Sequence, residues 1–294
     1  MSDRLQDWKS KGYEFKYRGH PVFYRLDGSG DSLILIHGFT TASWDWHKIY
    51  EPLHQRFQVI APDLLGFGFS AKPGKYPYSI MDQTDLCEAL LHKMEVKKVH
   101  LLCHDYGDTV GQELLARWLE REKSGVHELE IKSVCFLNGG LFPESHQPRL
   151  IQKLLISPIG PLLNPFLTKA KLRSNFAAIF GNKTQASEKE IDEFYDLIQY
   201  NNGKRVMNKL IRYMAERKQY RGRWVQALTE NALPMRLIDG SQDTISGRHL
   251  AARFEKLVPQ ADVIHLDEIG HYPQTEAPDL VLEHFLSFQK SLSS

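Results

Sequence analysis

One turn constrains this chain more than any other feature. Val99 to Cys103 is a short apolar run of the kind that makes a buried strand, and Gln112 to Leu119 carries a helical pattern. Between them, Cys103 and Gly107 flank Asp105 at a spacing of two residues on each side. A strand that turns sharply into a helix needs small residues at those places, and the turn lifts its central side chain above the end of a sheet. A serine usually stands there, whereas here the raised group is a carboxylate. Attack by a carboxylate on an acyl group would give a mixed anhydride. Attack on an sp3 carbon displaces a leaving group and gives an alkyl-enzyme ester. Asp105 could simply cap the following helix, but a cap alone would not need the small residues around it.

The rest of the chain alternates in the same way. Tyr13 to Leu26 reads as an opening hairpin that turns at Arg18-Gly19-His20-Pro21. Apolar runs at Leu33–Ile36, Phe57–Ala61, Ile131–Leu137, Met235–Ile238 and Asp262–Leu266 predict further strands. Helical patterns lie between them at 44–53, 80–94, 108–122 and 247–257. Strands alternating with helices imply an α/β fold with a mainly parallel, doubly wound sheet, whose sites lie beyond the carboxyl ends of the strands. Residues 143–229 break this rhythm, with Pro148, Pro158, Pro161 and Pro165 followed by two helical patterns at 187–200 and 204–217. Ser187 opens a capping box with Glu190. This segment is expected to be a helical cap, inserted into a core made of residues 1–142 and 230–294.

Several motifs resemble the α/β-hydrolase fold, and within it the branch of haloalkane dehalogenases and epoxide hydrolases that uses an aspartate nucleophile. They are His104-Asp105-Tyr106-Gly107-Asp108, Asn138-Gly139-Gly140 with Phe142-Pro143-Glu144, Arg223-Trp224-Val225 and His271-Tyr272-Pro273-Gln274. The same motifs are similar to those of the mesoderm-specific transcript family. The resemblance implies the chain order nucleophile, acid, histidine, and therefore Asp105, Asp243 and His271. Asp243 would fix the imidazole, and His271 would activate the water that hydrolyses the ester. Asp239 and Asp267 are rivals for the acid, while Asn138 occupies an alternative acid position without being a carboxylate. Backbone N–H groups of Phe39 and Tyr106 would form the oxyanion hole. Tyr213 matches a cap tyrosine that protonates an epoxide oxygen. His37, His104, Asn138, Tyr213 and Trp224 are expected around the substrate, within an apolar pocket to which Phe142, Phe166, Phe176 and Phe180 would contribute.

The usual halide-binding pair is replaced by Tyr106 and Phe39, and Thr40 stands where epoxide hydrolases carry proline. Tyr213 takes the place of the second of the family's two cap tyrosines; the first has no counterpart, though Tyr195, Tyr200 or Tyr220 could substitute. Epoxide hydrolysis is favoured, with dehalogenation second and a catalytically silent binding protein third, since a fold does not fix a function.

Composition narrows the partners. Lys and Arg number 37 against 36 Asp and Glu. This balance argues against nucleic acid and against an anionic membrane, and for a small uncharged substrate. No apolar run reaches the ~18–20 residues that span a bilayer, and Met1 to Lys11 lacks the apolar stretch of a signal peptide. No transmembrane segment and a cytoplasmic location are therefore expected. Cys87, Cys103 and Cys135 read as reduced core residues. Asp63 to Ser70 contains a Gly-x-Gly but lacks the third glycine of a dinucleotide fingerprint. No cofactor and no metal are expected; monomer and homodimer both remain open.

Overall fold

The structure is a computed structural model that describes all residues except His127, Pro158, Asn231, Ser293 and Ser294; one of the segment's prolines thus lies outside the described residues. Eight strands form one sheet: β1 (Tyr13–Tyr17), β2 (His20–Asp27), β3 (Ser32–Ile36), β4 (Gln58–Pro62), β5 (Lys98–His104), β6 (Glu130–Leu137), β7 (Met235–Gly240) and β8 (Asp262–Leu266). Their spatial order is β1-β2-β4-β3-β5-β6-β7-β8. Only β1 with β2 and β2 with β4 pair antiparallel; the remaining pairs are parallel. Leu33, Ile34, Leu35 and Ile36 of β3 are all fully buried, as are Leu101, Leu102 and Cys103 of β5. Such continuous burial shows why these strands read as unbroken apolar runs, because helices cover both faces.

The opening hairpin turns at Arg18 and Gly19, both at positive φ. Three parts of the sequence reading differ from the structure. Residues 3–10 form a helix capped by the Ser2 hydroxyl and anchored by Leu5 and Trp8; two apolar residues in a polar stretch gave little periodicity to detect. The pattern at 44–53 is split into a 3-10 turn (Ser43–Trp46) and a short helix (Tyr50–His54). The pattern at 204–217 is likewise broken into short pieces that end in the helix Tyr213–Gln219. Between β6 and β7 the described elements are all helical, and the helix Glu188–Gln199 carries the capping box at Ser187. All three cysteines are buried and free.

β5 lies between β3 and β6, with Ile36 opposite Cys103 and Leu137 opposite His104. The helix Tyr106–Ser124 starts immediately after Asp105. It can do so because Gly107 lets the helix approach β3: a Cβ at this position would lie 2.1 Å from the Ile36 carbonyl oxygen. Backbone cannot yield there as a flexible side chain could. Gly107→Ala should therefore destabilise the fold by about 1–3 kcal/mol or more, the usual cost of overpacking. Urea denaturation would measure it, and an unchanged midpoint would show that the close approach is not a constraint.

Candidate active site

Five loops at the carboxyl ends of β3, β5, β6, β7 and β8 meet around Asp105. Asp105 itself sits at φ 45° and ψ −99°, outside the regions an L-residue readily adopts. Strain of this kind persists only where the surroundings enforce it. The Asp105 carboxylate is almost fully buried. Its Oδ2 accepts a hydrogen bond from the Phe39 N–H at 3.1 Å and lies 4.0 Å from His271 Nε2. Tyr106 begins the helix, where a backbone N–H has no intrahelical partner.

His271 Nδ1 lies 2.7 Å from Asp243 Oδ2. That oxygen also accepts from the Ser246 N–H and hydroxyl, while the Ile245 N–H donates to Oδ1. The structure thus brings Asp105, His271 and Asp243 into one line. The rival carboxylates lie elsewhere. Asp239 accepts from the Ser241 hydroxyl and faces His265, and Asp267 pairs with Arg248 on the surface.

Asn138 does not face the substrate space. Its amide N–H donates to the Gly240 carbonyl at 2.9 Å and to Asp243 Oδ2 at 3.1 Å, and its carbonyl oxygen accepts from the Gly240 N–H at 2.6 Å. It ties β6 to the loop that carries Asp243. His104 lies beneath the site, with Nε2 at 2.8 Å from the His271 carbonyl oxygen. His37 is buried between the Gly38 carbonyl and the Leu64 N–H, and burial lowers its pKa, so it is a neutral brace. Trp224 is also displaced from its expected place: its indole N–H donates to Glu113 inside the packing of the elbow helix. These four polar side chains were drawn toward the substrate by their neighbours in sequence, but their partners are backbone groups and carboxylates of adjoining loops and helices.

Tyr213 does approach the centre. Its ring lies 4.8 Å from that of Tyr106 and 5.7 Å from that of Phe39. Its hydroxyl is buried without a hydrogen-bond partner. Burial raises its pKa, and the Asp105 charge raises it further. The hydroxyls of Tyr195 and Tyr200 instead accept from Lys204 and Lys9.

A cavity of about 710 Å3, counting its open mouth, lies above Asp105 and His271. Phe39, Phe176, Ile179, Met207, Ile211 and Tyr272 give it mainly apolar walls. Of the phenylalanines expected there, only Phe176 is in the lining. Phe180 stacks behind it on Tyr272, Phe142 is fully buried, and Phe166 is exposed. Asp63 to Ser70 is packing, as expected: Asp63 accepts from the N–H groups of Ser43 and Phe69. Among the described residues no cluster of His, Cys, Asp and Glu could hold a metal.

Three polar residues of the site were not anticipated. Arg217 is buried, donates to the Asp105 carbonyl at 2.9 Å and the Thr109 hydroxyl at 2.7 Å, and lies 3.6 Å from Asp105 Oδ1. Its position four residues after Tyr213, on the same helical face, was the only signal. Asp45, between two tryptophans, accepts from the Gly38 N–H and the Thr41 hydroxyl and holds the loop that presents Phe39. The Asp108 carboxyl is buried with no hydrogen bond within normal distance among the described residues, and burial, then the Asp105 charge, pushes its pKa well up.

The sequence profile of the alpha/beta hydrolase fold matches residues 31–278, which hold six of the eight strands, β3 to β8, and every loop of the site named above. The chain belongs to the α/β-hydrolase fold family. Within it, the human mesoderm-specific transcript homolog protein is 41% identical, the match covering 99% of this chain and 89% of that protein. A haloalkane dehalogenase from Bradyrhizobium elkani shares the fold at a TM-score of 0.80 and 21% identity, over 96% of this chain and 98% of that one. The epoxide hydrolase CorEH does so at 0.77 and 18%, over 96% and 99%. Among the described residues no helix is long and apolar enough to cross a membrane.

Charge at the centre of this α/β-hydrolase site is set by competition. Burial opposes the His271 imidazolium, but the Asp243 carboxylate outweighs it and Asp105 adds to the effect, pushing His271 up to about 9. Burial likewise opposes the Asp243 carboxylate, but the His271 charge and the converging hydrogen bonds bring it down to about 2. The raised histidine stabilises the fold fully below its unfolded pKa of about 6.5, and that contribution is lost as pH rises through about 9. The depressed aspartate contributes above about pH 4 and loses its contribution as pH falls through about 2. His271→Gln should therefore cost most between about pH 4 and 6.5, on the order of 3–5 kcal/mol for a broken buried pair. The difference from wild type should narrow toward about pH 9 and above. Paired urea titrations would check this, and a gap that widens on the alkaline side would sink the ion-pair assignment.

Proposed function

We propose that this protein is a hydrolase in which Asp105 forms an alkyl-enzyme ester that His271 and Asp243 then hydrolyse, with an epoxide on a small apolar body as the favoured substrate. The observation that carries this reading is the elbow carboxylate itself: one oxygen rests on the Phe39 N–H while the base stands 4.0 Å away, next to an apolar cavity.

Asp105 Oδ1 attacks a ring carbon, the C–O bond breaks, and the ring oxygen takes the Tyr213 phenolic proton. Burial disfavours the resulting phenolate, so Tyr213 recovers a proton as the step completes. In the resting protein His271 is held protonated. Esterification removes the Asp105 charge, a lesser cause than Asp243 of the raised imidazole, so the imidazolium holds its proton less tightly; that proton passes through solvent to the Tyr213 phenolate, which leaves His271 neutral as the base of the second step. It takes a proton from water, and the hydroxide adds to the Asp105 ester carbon. The oxyanion collects on the oxygen facing the Phe39 and Tyr106 N–H groups. Collapse expels the diol as the alkoxide, which the imidazolium reprotonates, and leaves Asp105 as the carboxylic acid; its proton passes to the neutral His271, which restores the resting carboxylate and imidazolium. Arg217 braces the Asp105 backbone and keeps a positive charge beside the carboxylate. The helices between β6 and β7 serve as a cap over the cleft, since Phe176, Met207 and Ile211 supply its upper wall.

Two variants separate the half-reactions. Asp105→Ala should fold but form no adduct with a reactive epoxide. His271→Gln should still be alkylated, and its ester should accumulate because no base activates water. Intact-mass spectrometry reads both, and turnover by folded Asp105→Ala would end the nucleophile assignment.

Tyr213→Phe distinguishes the substrate. Loss of a general acid should slow epoxide opening by about 10²–10⁴-fold, while a halide, which leaves as a stable anion, should leave at nearly the wild-type rate. Single-turnover rates with an epoxide and with an alkyl bromide make the comparison. Unchanged epoxide opening would refute the role given to Tyr213.

A further inference from the structure

Ten large apolar side chains are exposed among the described residues, and six of them fall between positions 150 and 166. Leu150 is 72% exposed, Leu162 71%, Phe166 60% and Ile159 50%, with Leu154 and Ile156 at 36% and 37%. Isolated exposed leucines need no explanation, but a concentration of this kind marks a surface made for a partner. The patch is not a failed core. The same segment turns its other side chains inward: Leu155 is buried, and Arg149, Gln152, Leu155 and Leu167 line the cavity over Asp105.

Charge says what the partner is. From Ser145 to Ser187 the chain contains no Asp or Glu, but it contains Arg149, Lys153, Lys169, Lys171, Arg173 and Lys183. Lys169, Arg173 and Lys183 pair with Asp192, Glu188 and Glu268. Lys153 and Lys171 have no ion pair among the described residues, and Lys171 lies over the exposed Phe166 ring with its ammonium 5.9 Å from the centroid. Lys204 and Arg205, also without a carboxylate partner among the described residues, sit beside Pro161, Asn164 and Pro165. The balanced total charge of the chain thus hides a locally basic face with apolar side chains standing out of it. That combination is the one that lies in the interface of an anionic bilayer, with apolar groups at the acyl boundary and lysines among the headgroups.

We propose that residues 149–171 dock the protein peripherally on an anionic lipid bilayer. The apolar side chains enter the interface and Lys153 and Lys171 meet the lipid headgroups. Docking sets the segment that lines the cavity directly against the membrane, where an apolar substrate is concentrated. This proposal goes beyond the catalytic reading and does not need it: Asp105→Ala should dock as wild type does.

Co-sedimentation with vesicles tests it. The full chain should pellet with vesicles of phosphatidylcholine and phosphatidylglycerol in equal parts, bind pure phosphatidylcholine much more weakly, and release as salt is raised. The triple variant Leu150→Ser, Leu162→Ser, Phe166→Ser should lose roughly tenfold or more of that affinity, because three apolar side chains no longer leave water. Lys153→Gln with Lys171→Gln should lose about fivefold per charge, the effect of one basic residue near an anionic surface. All five side chains project into solvent, so the variants should keep the wild-type circular dichroism and melting temperature. Absence of wild-type binding, or equal binding by the triple variant, would overturn the proposal. So would a dimer on gel filtration that the triple variant abolishes while neither form binds vesicles, for then a second copy of the chain covers the patch.

Discussion

The site depends on one backbone geometry, Asp105 held at positive φ between a buried strand and the first turn of a helix. The conformation is unfavourable for a side chain with a Cβ, and packing on both sides enforces it. β5 is locked between β3 and β6, and Gly107 brings the helix against the Ile36 carbonyl. Arg217 donates to the Asp105 carbonyl from the helices between β6 and β7, so the elbow is held both by the sheet and by those helices. A carboxylate placed this way is held in one direction in the cleft, as the proposed attack on a substrate carbon would require.

Around it, buried polar side chains replace the water that loops would otherwise bind. Asp45 holds the loop of Phe39, Asn138 the loop of Asp243, and His104 the carbonyl of His271. Each would be costly to bury alone and is stabilised by the loop backbone it satisfies. Asn138 is instructive, because a side chain without a carboxylate fixes the position of the carboxylate that meets His271.

The electrostatics follow from this crowding. Asp105, Asp108, Asp243, His271 and Arg217 share one buried region, so the proton affinities of Asp108, Asp243 and His271 depend on their charged neighbours. In the proposed reaction, converting the Asp105 carboxylate to a neutral ester would lower the proton affinity of His271, so a single histidine would meet the demands of both half-reactions in turn. The same contrast between local and total charge governs the surface. A near-neutral sum pointed away from membranes, but basic and apolar residues gathered on residues 149–171 point toward one.

The order of strands and helices was legible in the chain because strands buried on both faces must be continuously apolar and helices must repeat near 3.6 residues. The meeting of Asp105, Asp243 and His271 was legible as well, Asp105 from its small-x-Asp-x-small turn and the other two from the family resemblance, which implies the order in which they follow. The short helices at 43–54 and 200–219 were not, although Asn201 and Asn202, which the structure holds in the left-handed region before Gly203, are a local signal of a break. Nor were the roles of Arg217, Asp45, Asn138, His104 and Trp224, whose partners lie on other elements, in several cases about a hundred residues away or more. Composition gave the sum of the charges and the number of phenylalanines. Only the tertiary structure decided that Phe176 lines the cleft while Phe166 faces solvent, because the face a side chain occupies depends on where its helix is packed, and that is settled by contacts distant in sequence.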